Sequence, residues 1–324
     1  MNDTNFRENL WQDEINVRDF IYTNIIRYDG DAKFLEGPTK NTKKLWDECK
    51  KLLEQERKNG GVLDIDTKTI STISSHKPGY IDKTLEKIIG VQTDKPLKRA
   101  IKPFGGWRVV QKACEENGYE LDSEVIEIFS KYRKSHNDGV FDAYTEEMRK
   151  LRKSGLITGL PDNYARGRII GDYRRLALYG LERLIEAKQK DLEKLDGEMT
   201  NDLIQLREEV SEQIRALEMV GEMAKSYGID VSKPAQTAQE AIQFTYIAYL
   251  AAIKEQDGAA MSLGNVSSFF DIYIERDLKA KKITEAEAQE LVDHFVMKLR
   301  LVRHLRMDEY NQLFAGDPTW VTEV

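Results

Sequence analysis

The sequence predicts a helix-rich α/β protein. Apolar residues recur at helical spacing through most of the chain, and short segments of strand character fall between those runs. One stretch, 151–175 (LRKSGLITGLPDNYARGRIIGDYRR), mixes glycines, bulky aliphatics and basic residues in a way that suits neither a plain core helix nor a plain surface loop.

Taken in order, residues 11–26 place Ile15, Val17, Phe20, Ile21 and Ile25 on a helix-like face that stops at the turn signal Tyr28-Asp29-Gly30-Asp31. Residues 42–58 repeat the pattern with Leu45, Trp46, Cys49, Leu52 and Leu53 inside. After Gly60-Gly61, residues 62–65 read as a strand or an extended link. The Ser/Thr-rich segment TKTISTISSHKPGYI, which holds His76, reads as a loop able to lie against a ligand. A helix is expected over 81–89, closed by Gly90, then a turn through Gly105-Gly106, a run from Trp107 toward Cys114, and a helix over 124–132 capped near Asp122. The polar loop 133–144 (RKSHNDGVFDAY) is a second candidate ligand loop.

Residues 176–194 and 202–227 form long amphipathic helices, the second rich in opposite charges four apart. Residues 237–254 are apolar enough for an interior helix, and the small-residue segment 256–264 suits a tightly packed strand better than a substrate contact. A helix over 286–303, opened at Thr284, carries acids early and Lys298, Arg300 and Arg303 late, as the helix dipole favours. No repeat and no linker divides the chain.

With 324 residues, 40% of them hydrophobic, the chain can bury a large core. Charged residues make up 32% and leave a net charge of −7, so no overall field draws the molecule to nucleic acid or an anionic membrane. The first residues have no apolar core of a secretory signal, and the run 246–253 is far short of the roughly 20 residues that cross a bilayer. Cys49 and Cys114 stand alone and the four histidines are scattered, which fits a reducing cytoplasm and gives no metal site.

Within 151–175, glycine lets backbone come close to a ligand, and a guanidinium grips carboxylate or phosphate with a fork of donors. The stretch is therefore read as anion-binding. Arg174 and Arg175 are expected to form ordinary ion pairs with Asp162 and Asp172, whereas Arg168, between Gly167 and Ile169-Ile170, is expected to be buried or half-buried and to need an anionic partner. There is no phosphate-loop G-K-[ST], no G-x-S-x-G elbow, no nucleophile that a histidine is expected to activate, and no carboxylate pair nominated by spacing.

At this point the residues carry a resemblance. RKSGLITGLPDNYARGRIIGDYRR, together with NVRDFI, LEKIIGVQTDKPLKRAIKPFGG, YRKSHNDGVFD, GAAMS, DIYIERDL, MKLR and FAGDPTW in that order, resembles the amino-terminal half of the pyruvate formate-lyase family of glycyl-radical enzymes, from about Trp11 to Trp320. The resemblance implies a ten-stranded α/β barrel of two half-sheets, of which residues 1–324 supply the amino-terminal half, incomplete at the carboxyl end. It implies exchange of pyruvate and coenzyme A for acetyl-coenzyme A and formate, in anaerobic glucose fermentation in the cytoplasm. Arg168 is then expected at the pyruvate carboxylate, with Ala259, Phe314 and Trp320 on the pocket wall, and His76, Asn137, Phe141, Lys153 and Tyr164 at coenzyme A.

The family's adjacent cysteine pair and radical glycine lie in its other half and are missing here, so no catalytic residue is expected in this chain and the isolated chain is expected to be inactive. The implied partners are a radical-installing activating enzyme and a second copy in a homodimer, with no metal or prosthetic group, nucleic acid or membrane. Two further readings stand beside this one: a fragment of a 2-oxobutyrate formate-lyase, and a non-catalytic truncated homologue that binds a separate carboxyl half. A fragment of a barrel is also expected to expose a sheet edge and apolar surface and to aggregate.

Overall fold

The computed structural model describes residues 5–103, 107–132, 144–157, 168–256 and 260–307, with the backbone alone at 168–170 and 260. In chain order the elements are α1 (Val17–Asn24), α2 (Lys40–Lys58), β1 (Asp64–Ile70), β2 (Lys98–Ile101), α3 (Trp107–Glu116), α4 (Ser123–Glu127), α5 (Glu146–Lys153), β3 (Arg168–Ile170), α6 (Arg174–Lys194), α7 (Asn201–Ser226), α8 (Ala238–Glu255), β4 (Ala260–Ser262), α9 (Val266–Lys279) and α10 (Glu285–Arg300). The helix-rich α/β class read from the sequence is the class observed.

Helix α8 is the axis of the fold. Of its 18 residues, 13 are buried, on every face. The helices α6, α7, α9 and α10 close around it, α1 packs on α6 and α9, and Ile242, Tyr246, Ile247, Tyr249 and Leu250 of α8 centre the largest core cluster. A helix apolar all round belongs in an interior, as its composition required. Caps fix where the helices begin: Thr237 receives Glu240 N–H ahead of α8, and Thr284 and Glu287 form a reciprocal capping box ahead of α10.

Two parallel two-stranded sheets flank this bundle. In the first, β1 and β2 pair Asp64 with Lys98, Ile65 with Arg99 and Asp66 with Ala100, and the register then slips so that Ile70 meets Ile101. Asp66 shapes the slip, because one of its carboxylate oxygens accepts both Lys68 and Thr69 N–H at 3.0 Å. The second core cluster, Val62, Ile65, Ile101, Val110, Cys114 and Phe129 among others, lies between this sheet and α3 and α4. In the second sheet β3 pairs with β4 in the register Arg168–Ala260, Ile169–Met261 and Ile170–Ser262. Among the described residues each sheet has two strands.

Three sequence expectations are corrected. The strand after Gly61 runs to Ile70, well into the segment expected to be a loop, because the Asp66 side chain bridges the irregular turn. Residues 81–89 form no helix. Glu86 accepts the N–H groups of Ile81 and Asp82, and the backbone at Ile89 is taken by the Gln243 amide of α8 at 2.8 and 3.0 Å, so tertiary partners replace helical ones. Finally, α10 ends at Arg300, and Arg303 turns inward to a buried ion pair.

Candidate functional site

The site is built where the carboxyl end of α8 meets the end of β1. Ile253, in the last turn of α8, gives its carbonyl to Lys102 Nζ and, at 3.4 Å, to Gln92 Nε2, so the helix end is tied to the segments on either side of β2. Lys254 follows, 2% exposed, its pKa pushed down to about 8 by burial, with neighbouring Glu255 pulling the other way.

His76 faces this helix end with a side chain only 4% exposed. Its Nε2 lies 3.1 Å from Asp66 Oδ2 and its Nδ1 2.8 Å from Ser75 Oγ. An ionised Asp66 can only accept, so Nε2 carries the imidazole proton and Nδ1 accepts from the Ser75 hydroxyl, whose other acceptor, the Thr72 carbonyl, is farther at 3.1 Å. Burial, then the charge of Lys254, holds the His76 pKa below its usual range, against the pull of Asp66 and Asp94. Burial works to raise Asp66, and the Lys68 and Thr69 N–H groups, Lys98 and His76 outweigh it, so its pKa is lowered. Lys98 completes the set at 3.7 Å from Asp66 and 3.1 Å from Asp94. Both ring nitrogens of His76 are therefore spent inside the protein, which ties the loop to β1 as well as placing the ring.

The second sheet carries Arg168 at the start of β3, opposite Ala260. Just beyond β3, Asp172 forms ion pairs with Arg174 Nε at 2.8 Å and Arg175 Nε at 3.4 Å, the plain role expected for those two arginines. Arg174 also donates to the Asn265 carbonyl at 2.9 Å, which clamps the outlet of β3 to that of β4. Gly264 sits against that guanidinium with φ +74, where a side chain would be strained.

Lys153 lies exposed in the last turn of α5. Ala259, Phe314 and Trp320, and Asn137, Phe141 and Tyr164, fall outside the described residues, as does the side chain of Arg168. Cys49 and Cys114 are buried in separate clusters, their thiols pushed up to about 11 by burial. Among the described residues no three His, Cys, Asp or Glu side chains gather as a metal site, and no helix is long and apolar enough to cross a membrane.

Asp66, Lys98 and Lys254 escaped the sequence reading. Asp66 fell between the short strand or link expected over 62–65 and the loop expected from Thr67, and Lys254 read as the polar end of an apolar helix. The available signal was a lone cation closing a run that is otherwise interior.

Similarity to other proteins follows this architecture. A formate acetyltransferase from Haemophilus influenzae is 59% identical over 320 residues, which is 97% of this chain and 41% of the relative, so the chain spans about two-fifths of that protein's length. The B12-independent glycerol dehydratase of Clostridium butyricum, in its glycerol-bound form, superposes with a TM-score of 0.60 at 16% identity, over 87% of this chain and 42% of that one. A glycyl radical enzyme from Archaeoglobus fulgidus gives 0.50 at 15% identity, over 85% and 40%. These two likenesses concern the fold alone. The family described as Pyruvate formate lyase-like matches residues 10–324, and the chain belongs to it.

Proposed function

We propose that this chain is the amino-terminal part of a formate C-acetyltransferase, the glycyl-radical enzyme that turns pyruvate and coenzyme A into acetyl-coenzyme A and formate. The observation that carries the reading is the 59% identity to a formate acetyltransferase along nearly the whole chain. In the reaction a thiyl attacks the pyruvate carbonyl, the C1–C2 bond breaks homolytically to leave an acetyl thioester and a formate radical anion, that radical takes a hydrogen atom from a thiol to become formate, and the acetyl group passes to coenzyme A. The cysteine pair and the radical glycine belong to the remainder of the enzyme, and an activating enzyme installs the radical. Cys49 and Cys114, buried in separate clusters, are not candidates for the thiyl.

In this reading Arg168 holds the pyruvate carboxylate by a charge-assisted fork, and Ala259, Phe314 and Trp320 wall the pocket. His76, Asn137, Phe141, Lys153 and Tyr164 belong to the coenzyme A site. Phe141 offers a ring face to the adenine and the exposed Lys153 a charge to phosphate. With both nitrogens engaged, His76 contributes its ring edge, or frees Nδ1 by releasing Ser75. The enzyme is expected to be a cytoplasmic homodimer without metal or prosthetic group.

The test uses the full-length enzyme, activated anaerobically and assayed for formate from pyruvate labelled at C1. Arg168→Met is expected to lower kcat/KM for pyruvate by on the order of 100-fold, about 3 kcal/mol. Residues 1–324 alone are expected to release no formate. Unchanged kcat/KM in Arg168→Met would overturn the role given to Arg168, and a full-length enzyme inactive on pyruvate would overturn the function.

A further inference from the structure

Beyond the carboxyl end of β2 the fold buries basic side chains in excess of acidic ones among the described residues. Arg99, Lys102, Arg303 and Arg306 are each at most 5% exposed, and His304 is fully buried. Burial first, and then the charges of Arg306, Lys102, Arg99 and Arg303, hold the His304 imidazole well below its ordinary range, so all four cations act on one point. Glu56 of α2 meets two of them, Arg303 and Arg99. Its two oxygens are gripped by Arg303 Nε and Nη2 at 2.8 Å each, and Arg99 Nη2 stands 3.5 Å away.

That fork leaves Arg99 short of acceptors. Its Nη2 donates to the Gly61 carbonyl at 2.5 Å, while Nε and Nη1 are buried with no hydrogen-bond partner. A guanidinium does not shed its proton to escape burial, and unmet donors on a buried cation are costly. Burial weighs most on the Arg99 guanidinium, and the charges of Arg303 and Arg306 act with it against the pull of Glu56.

We propose that this cluster is a seat for a small carboxylate or inorganic oxyanion, held by the open Nε and Nη1 donors of Arg99 in the field of Arg303 and Arg306. The inference rests on the open donors of Arg99 alone, since Lys102 already donates to the Ile253 carbonyl. It is independent of the reaction proposed above.

The experiment is calorimetric titration of the full-length enzyme, in an Arg168→Met background that disables the proposed pyruvate carboxylate site, with sodium formate, acetate or phosphate at constant ionic strength, with chloride as the reference and the melting temperature as second readout. The expected result is one saturable site for a carboxylate, for phosphate or for both, the pattern telling which chemistry the seat takes. Affinity should weaken about tenfold or more in Arg99→Met and stay unchanged in Lys50→Ala, which alters an exposed ion pair. Equal affinity in Arg99→Met, or no saturable response beyond chloride in the enzyme with Arg99 intact, would overturn the proposal. If Arg99→Met does not fold, Arg99→Lys serves in its place: it keeps the charge but loses the Nε and Nη1 donors, and undiminished binding there counts against the seat.

Discussion

Lys254 offers the sharpest test of the electrostatics at the helix end. Burial lowers its pKa from 10.5 to about 8 in the folded protein. The gap corresponds to about 3 kcal/mol at 1.36 kcal/mol per pH unit. Because the folded pKa is the lower one, between pH 8 and 10.5 the unfolded chain holds a proton that the folded chain has released. Stability therefore rises with pH through that window. Below pH 8 both states are protonated and the fold carries the full cost of the buried ammonium; above 10.5 both are neutral and the cost is gone.

Lys254→Met keeps much of the side-chain volume without the charge. Its stability relative to the natural chain should fall by about 3 kcal/mol between pH 7 and pH 10.5, whatever constant packing difference separates the two. Urea unfolding followed by circular dichroism at steps across that range measures the difference, and the titration of other lysines and tyrosines cancels between the two proteins. A second readout is His76, whose pKa Lys254 depresses. Its ring resonances should titrate at higher pH in the variant. A stability difference that stays flat with pH would refute the reasoning, since it would mean that Lys254 pays no desolvation cost in the fold.

Two further substitutions probe the buried ties. Lys298 and Glu86 form a fully buried ion pair at 2.5 Å between α10 and the 81–90 segment, so Lys298→Met should cost about 3–5 kcal/mol in a urea melt by stranding the carboxylate. The double variant with Glu86→Gln should recover part of that loss, and strict additivity would count against a coupled pair. Gly180 kinks α6 at φ 72, ψ 163, and a Cβ there would stand 2.5 Å from the Lys233 carbonyl carbon, so Gly180→Ala should lose more than about 2 kcal/mol; a melt matching the natural chain would exclude that strain.

The long helices were legible because their signals are local. The apolar surround of α8, the opposed charges of α7 and the Thr284 cap can each be read within one window of sequence. The 81–90 segment was not, because its backbone partners are the Gln243 amide and the Tyr246 hydroxyl, more than 150 residues away. The extent of β1 was hidden for a related reason: Asp66 spends one oxygen on a turn inside the strand and the other on His76, and spacing alone does not separate those duties. Of the candidate site, the glycine–arginine stretch announced itself by composition. The cations Arg99 and Lys254 did not, since a charge reads as surface until a fold shows it inside.

That contrast separates the polar groups of the interior into two kinds. His76 has both ring nitrogens matched within the fold, and Arg174 and Arg303 behave as struts, their guanidinium groups bonded to acceptors far away in the chain, the Asn265 carbonyl and the Glu56 carboxylate. Arg99 keeps two open donors, and Lys254 keeps a charge whose nearest relief is the adjacent Glu255. Matched groups hold shape, and a ligand that took one of their partners would have to repay the bond it broke. Unmatched ones gain from any anion that reaches them. Ligand binding by this chain should therefore concentrate where donors are left over, and substitutions at Arg174 and Arg303 should register first in stability and only through it in binding.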